Sequence, residues 1–338
     1  MASKRLRFLL TGGTLLMKPA AGPARASSPS LSLEDVPDLL SEVPALGRVA
    51  SIELRQLFSM DSSDMQPSDW VALGREVHAA VASSEVDGVV IVHGTDTMAY
   101  TASALALMLG PLTKPVVLTG SQRPLVDVRT DARENLVDAA LVATLNVPEV
   151  SVAFASRVLR GARATKRDAW GYDAFDSPNC APLAQLGVQT VLAPHVRAPA
   201  PELAPFDDRL EPRVLAVRVF PGLDERLVSS AVRAGVKGLV LEGYGAGNLP
   251  QLGRSLIPAL EEAREANVPV VVVSQCLRGF VDLSRYSGGA AAAAAGAITG
   301  GDMTPEAALA KLMIGLGRLG PGAALRDWLL TPWVGERS

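Results

Sequence analysis

The sequence predicts an α/β protein of two domains. The larger, N-terminal one has a mainly parallel sheet flanked by helices, and a smaller α/β domain follows. Three observations carry this. Short β-branched runs alternate with stretches of helical period, the grammar of a parallel sheet covered on both faces. The alternation breaks at 196–212, where four prolines fall without periodicity. It then restarts. The expected boundaries are residues 1–197, a linker at 198–212, and residues 213–338.

In chain order, the first strand candidate is 6–10, Leu-Arg-Phe-Leu-Leu, running into Thr11-Gly12-Gly13-Thr14. The next is 49–57. Trp70, Leu73, Val77, Ala80 and Val81 then keep a helical period. The wholly apolar run Gly-Val-Val-Ile-Val at 88–92 reads as a buried strand and closes on His93-Gly94-Thr95-Asp96-Thr97. A helix is expected over 96–109, strands at 115–119 and 150–155, and a helix through Asn135, Leu136, Ala139, Ala140 and Ala143. In the second domain the strands are 214–219, 237–242 and 268–274, with a helical tail at 304–330. The alanine tract 290–295 favours helix.

Composition narrows the function. The 338 residues carry a net charge of −3 and no evident basic face, which argues against nucleic acid. Hydrophobic residues make up 48% and aromatics only 4%, so the core is built from Ala, Val and Leu. Cys180 and Cys276, the two cysteines, offer no disulfide framework, and a reducing compartment is the default. Lys4, Arg5 and Arg7 before Phe8-Leu9-Leu10 imitate a secretory leader, but the apolar stretch is too short. No apolar run reaches the roughly 18–20 residues of a membrane helix. Residues 17–31, rich in Pro, Ala and Ser beside the first glycine turn, read as a lid or as an insertion without function.

No phosphate-binding Gly-x-x-x-x-Gly-Lys-Ser/Thr and no Gly-x-Ser-x-Gly elbow occur. His78, His93 and His195 lie at no metal-ligand spacing. His93, ending a buried strand, is read as a residue that orients its loop. What remains is hydroxyl chemistry. A threonine hydroxyl needs a base or a lowered pKa to attack. Lys166, after the strand at 150–155, is one candidate helper, with Asp96 fixing it and Thr95 as its partner; a solvated loop lysine is the plainer reading. The cluster Asp61-Ser62-Ser63-Asp64 suits an α-amino-acid ligand, whose ammonium needs oxygens and whose carboxylate needs donors. It equally suits a helix cap, with Ser68 and Asp69 beginning a helix soon after.

These residues resemble the L-asparaginases, in particular the cytoplasmic type I group. The matching stretches are Thr-Gly-Gly-Thr (11–14), Met-Asp-Ser-Ser-Asp-Met (60–65) and His-Gly-Thr-Asp-Thr-Met-Ala-Tyr-Thr-Ala-Ser-Ala-Leu (93–105). Further on come Lys-Pro-Val-Val-Leu-Thr-Gly-Ser-Gln (114–122), Ala-Thr-Lys (164–166), Phe-Asp-Ser-Pro-Asn (175–179), Tyr-Gly-Ala-Gly-Asn (244–248) and Asp-Met-Thr (302–304). The resemblance implies two α/β domains, a homodimer or homotetramer with sites formed between subunits, and hydrolysis of L-asparagine without metal or cofactor. By motif position it implies Thr11 as first nucleophile and Thr95, Lys166 and Asp96 as a second triad. It implies Ser62 for the substrate carboxylate and Asp96 for its amino group, with Asp61 and Ser63 alongside. Asn248 would reach a neighbouring subunit's site. Thr165 and Cys276 match positions of an allosteric asparagine site. Backbone amides of the 12–13 turn and the 94–96 loop, Gly12 and Thr95 foremost, suit an oxyanion.

The chain departs from the pattern in one place. Many relatives carry a lid tyrosine soon after Thr-Gly-Gly-Thr, yet residues 15–52 contain no tyrosine. Tyr286 matches a tyrosine that some type I relatives bring from the adjacent subunit. The alternatives are a weakened amino-acid sensor, or a related hydrolase such as a lysophospholipase or an amidotransferase component. Glutamine stays open as a substrate, because one methylene is weakly discriminated.

Overall fold

The computed structural model of the protein describes residues 4–16 and 36–338, with side chains of the second stretch from residue 39 onward. The chain divides after Asp208 into two compact units. The loop at 17–31, expected as lid or insertion, lies outside the described residues.

The first unit is built on a sheet of eight strands. In chain order these are β1 (Arg5–Gly12), β2 (Ser51–Met60), β3 (Gly88–Val92), β4 (Val116–Thr119), β5 (Val150–Phe154), β6 (Arg157–Arg160), and, further on, β9 (Ala184–Gln185) and β10 (Val191–Leu192). They lie in the order β10-β9-β6-β5-β4-β3-β1-β2. From β5 to β2 every pairing is parallel. β6, β9 and β10 add an antiparallel flank. Between β6 and β9 the two-residue strands β7 (Thr165–Lys166) and β8 (Phe175–Asp176) form a separate hairpin.

Strand alternation sends Phe8, Leu10, Val90, Val92 and Val117 to one face. There they pack on Leu39 of α1 (Val36–Glu42), Leu46 of α2 (Leu46–Val49), and Leu136, Ala139 and Ala140 of α5 (Ala132–Ala143). α3 (Pro67–Ala82) and α4 (Met98–Leu109) pack together and supply Leu73, Val77, Leu105 and Leu107 to the core. Nearly every residue of α4 is buried, as its mostly apolar sequence requires, and the buried Thr101 hydroxyl is satisfied by His93.

β1 lies between β2, its successor, and β3. The chain therefore leaves β1 to one side and returns to the other. Such a reversal opens a crevice at the carboxyl ends of the strands, where open α/β sheets bind ligands.

The second unit carries four parallel strands, β11 (Val214–Arg218), β12 (Gly238–Gly243), β13 (Val270–Ser274) and β14 (Ile298–Thr299), in that order. α6 (Glu225–Arg233), α7 (Ile257–Glu265) and α8 (Ser287–Ala294) bury one set of side chains, including Val228, Leu260 and Ala292. The expected helical tail is two helices, α9 (Pro305–Leu319) and α10 (Ala323–Leu330). Gly320 and Gly322, at φ 68° and 134° around Pro321, break it. A bolt closes this unit. Lys311, wholly buried, donates to Glu336 at 2.5 Å and to the Thr331 carbonyl at 2.6 Å. Burial holds the Lys311 pKa below its usual value. Burial would raise the Glu336 carboxyl, but Lys311 and the Val334 amide bring it below the ordinary range.

The stretch 198–212 has no helix or strand, but it is not a free tether. The Ala200 amide bonds the Leu112 carbonyl, and His78 bonds the Ala204 carbonyl at 2.9 Å. Phe206 closes over Gly74. Glu211 bonds Met313 in the second unit. Among the described residues no helix is long and apolar enough to cross a membrane.

Candidate active site

The carboxyl ends of β1 to β4 bring four loops of the first unit together. The first bears Thr11. Its hydroxyl, buried, donates to the Val92 carbonyl at the end of β3, 3.0 Å away. Gly12 and Gly13 turn the chain at φ 110° and 88°. A Cβ on Gly12 would lie 2.2 Å from the Met60 carbonyl oxygen, and one on Gly13 would lie 2.5 Å from Gly94 Cα and N. Only glycines let these backbones approach so closely. The Gly13 amide donates to the Met60 carbonyl at 3.1 Å, so this one member of the 12–13 turn is committed within the fold.

The second loop follows β2. Asp61 caps a single turn over Ser62–Asp64 by accepting from the Ser63 amide at 2.8 Å. Asp61 is thus a cap, while Ser62 turns its buried hydroxyl toward Gly94. The cap of α3 is not here. Gln66 and Asp69 form that capping box around Pro67, so Ser68 and Asp69 lie inside the first turn.

The third loop follows β3. His93 is buried, and burial depresses its pKa to about 4 despite its bond to the Gly94 carbonyl. Nδ1 lies 2.7 Å from that carbonyl, so Nδ1 holds the proton. Nε2 is then the acceptor for the Thr101 hydroxyl at 3.0 Å. His93 fixes the loop, as its position at the strand end implied. Thr97 donates to the Ser62 carbonyl at 2.7 Å and ties the second loop to the third.

Lys166 arrives from the β7–β8 hairpin. Its Nζ lies 2.8 Å from Thr95 Oγ1 and 2.6 Å from Asp96 Oδ1. Lys166 is mostly buried; Asp96 is 65% exposed and keeps acceptor capacity toward solvent. The hairpin is braced by ion pairs of Arg157 and Arg167 with Asp173 and Asp176.

The fourth loop follows β4 and carries a residue that the sequence alone did not single out. Gln122 Oε1 lies 3.2 Å from Thr95 Oγ1. Asp131 accepts from the backbone amides of Gln122 and Arg123 at 3.0 and 3.1 Å and holds this loop to the start of α5. The sequence signals for Gln122 were its place just beyond a buried strand and its position at the end of the matching stretch 114–122, neither of which assigned it a role.

Thr11, Ser62, Thr95, Asp96 and Lys166 therefore belong to one set of interlocked loops. Thr165, buried in β7, precedes Lys166 directly. Asn248, Cys276 and Tyr286 lie in the second unit. Asn248 closes a tight bridge with Tyr244. Cys276 is exposed, and its amide donates to the Ser274 hydroxyl at 3.0 Å. Tyr286 precedes α8, about half exposed, with the Arg285 guanidinium 5.9 Å from its ring centre. Among the described residues no group of three or more His, Cys, Asp or Glu gathers as a metal would need.

Two domain models match: "Asparaginase, N-terminal" over residues 5–197, and "Glutaminase/Asparaginase C-terminal domain" over residues 213–329. The chain belongs to the asparaginase family. It is accordingly a hydrolase of the amidohydrolase type. This asparaginase-family chain is 41% identical to the L-asparaginase of Thermococcus kodakarensis, over 93% of both chains. It is 44% identical to L-asparaginase 1 of Escherichia coli, over 75% of both. It is also 37% identical to a component of the glutamyl-tRNA(Gln) amidotransferase of Pyrococcus abyssi, over 96% of this chain and 75% of that one. Among solved structures, the thermostable L-asparaginase from Thermococcus kodakarensis superposes with a TM-score of 0.89 at 39% identity, covering 99% of both chains. A probable cytoplasmic L-asparaginase from Campylobacter jejuni gives 0.81 at 27% identity, covering 97% of this chain and 100% of that one.

Proposed function

We propose that this asparaginase-family chain hydrolyses the side-chain amide of L-asparagine to L-aspartate and ammonia. The observation that carries the reading is the contact of Lys166 with both Thr95 and Asp96. In the proposed reaction Thr11 Oγ1 attacks the amide carbon, and its proton passes to the departing nitrogen. The carbon–nitrogen bond breaks, ammonia leaves, and an ester to Thr11 remains. Water then attacks that ester, giving its proton back to Thr11. Thr95 orients this water, with Lys166 and Asp96 managing its proton. Backbone amides at Gly12 and Thr95 receive the oxyanion. The substrate's ammonium meets the exposed oxygen of Asp96, and its carboxylate meets Ser62, with Asp61 and Ser63 shaping that end.

In the same proposal the enzyme is a cytoplasmic homodimer or homotetramer. Asn248 and the Tyr286 phenol reach a neighbour's site, the latter in place of a lid tyrosine. Thr165 and Cys276 contribute to an allosteric site. The test is ammonia release by the purified protein from micromolar to tens of millimolar L-asparagine. Saturable turnover upholds the reading, and a sigmoidal curve upholds the allosteric site. No turnover by folded protein rejects it. Tyr286→Phe with unaltered turnover rejects the tyrosine's role, and light scattering decides the oligomer. A second reading, amide hydrolysis as part of an amidotransferase, takes support from the likeness to the Pyrococcus abyssi protein. It predicts that L-glutamine outcompetes L-asparagine.

A further inference from the structure

Thr95 Oγ1 has two polar neighbours of opposite kind. Lys166 Nζ, as an ammonium, only donates; Gln122 Oε1 only accepts. The orientation of the Gln122 amide is not arbitrary. Its Nε2 faces two carbonyl oxygens at the tip of the β7–β8 hairpin, that of Gly171 at 3.1 Å and that of Asp168 at 3.5 Å. Turning the amide over would set its oxygen against both. The Thr95 proton therefore points at Gln122, one lone pair accepts from Lys166, and the other lone pair is left free.

The hairpin tip is itself organised for this contact. Asp168 Oδ1 accepts from the amides of Trp170 and Gly171 at 2.7 and 2.9 Å, and these bonds hold its carboxyl below the usual range. The Arg167 amide closes the turn on the Ala174 carbonyl at 2.8 Å. Lys166 stands at the foot of this hairpin. One glutamine thus grips the hydroxyl of Thr95 with one end and the hairpin that delivers Lys166 with the other. Its own backbone is pinned by Asp131.

We propose that Gln122 is a positioning residue. It sets the direction of the Thr95 hydroxyl and locks the Lys166 hairpin to the β3 loop, so that Thr95 Oγ1 and Lys166 Nζ keep their mutual geometry through turnover. The inference rests on the hydrolytic reading above. It adds that rate depends on a residue with no contact assigned to substrate, and that Asp168 acts through it.

The test is a double-mutant cycle of Gln122→Leu and Asp168→Ala, read in kcat and KM for L-asparagine and in hydrogen exchange over residues 167–174. Losing a hydrogen bond that orients a reacting group corresponds to roughly a ten-fold fall in kcat. The expected result is such a fall for Gln122→Leu, with KM and Tm little changed. Asp168→Ala should give a fall of about three-fold, and the double variant should equal Gln122→Leu alone, because coupled residues are not additive. Exchange at the tip should quicken in both single variants. Unaltered kcat in Gln122→Leu beside an active wild type overturns the inference. So do two independent, multiplying effects, or a rise in KM that accounts for the whole loss. The exchange arm does not depend on turnover: unaltered tip protection in Gln122→Leu overturns the clamp even if the wild type hydrolyses nothing, whereas an inactive wild type with a quickened tip rejects the hydrolytic reading alone.

Discussion

Gly13→Ala should disable the site without touching any group assigned to chemistry. The added Cβ would stand 2.5 Å from both Gly94 Cα and Gly94 N. Ordinary carbon contacts are about 3.5–4.0 Å, so one loop must retreat by roughly 1 Å. Neither neighbour is a flexible side chain that could swing away. The backbone at φ 88° adds about 1–2 kcal/mol of strain for any residue with a Cβ. Overpacking of this kind costs roughly 1–3 kcal/mol more. Together these correspond to a fall in Tm on the order of 5–15 °C for a unit of this size. The larger effect is on rate. The retreat separates the Thr11 loop from the Thr95 loop, and misplacement by about 1 Å costs on the order of a hundred-fold. The assay is kcat/KM for ammonia release, measured well below the variant's Tm, with Gly47→Ala as control. A Cβ on Gly47 meets nothing within 4 Å, so the control should be neutral or slightly stabilising. Wild-type kcat/KM in Gly13→Ala, to within about two-fold, would refute the argument that loop approach sets the geometry.

Further predictions follow the same logic. Lys166→Met should lower kcat by about a hundred-fold to ten-thousand-fold, yet barely move Tm, because its partner Asp96 is 65% exposed; parallel loss of rate and Tm would refute this. Glu336→Gln leaves the Lys311 ammonium buried with the Thr331 carbonyl and should cost about 3–5 kcal/mol in urea unfolding. Part of that loss should return as pH rises, since burial already lowers the Lys311 pKa and the neutral amine is the form burial favours. His93 predicts an acid limb in stability. Below pH 6.5 the unfolded chain binds a proton that the folded chain refuses until about pH 4. About 2 kcal/mol should therefore be lost between pH 7 and pH 5, and His93→Gln should flatten that limb.

The strands β3, β4 and β5 were legible because each is a short, Val-rich run buried at every position. The antiparallel flank was not. β9 and β10 are two residues each, too short for any period to register. The tail at 304–330 kept its helical composition across a break that three residues impose. Within the site, Thr11 and Thr95 announced themselves by ending strands in glycine-rich turns. Lys166 did not: 70 residues separate it from Asp96, and only the family resemblance raised it above a solvated lysine. Gln122 stood at the end of the matching stretch 114–122, but its role was hidden for a related reason. Its partners at the hairpin tip are backbone carbonyls, 46 and 49 positions away, and carbonyls leave no trace in residue types.

The interlocked loops have a consequence for how this unit comes into being. Thr11, Ser62, Thr95, Gln122 and Lys166 are strung over more than 150 positions and meet only once β1 to β4 and the hairpin have all docked. Contacts so distant in sequence are closed late, because chain closure must precede any reward from them. The helices close their hydrogen bonds locally and form early. On refolding, helical signal should therefore return before any competence of the site, and no fragment that omits the hairpin retains a partial version of it. Activity is in this sense a property of the completed sheet edge, acquired all at once.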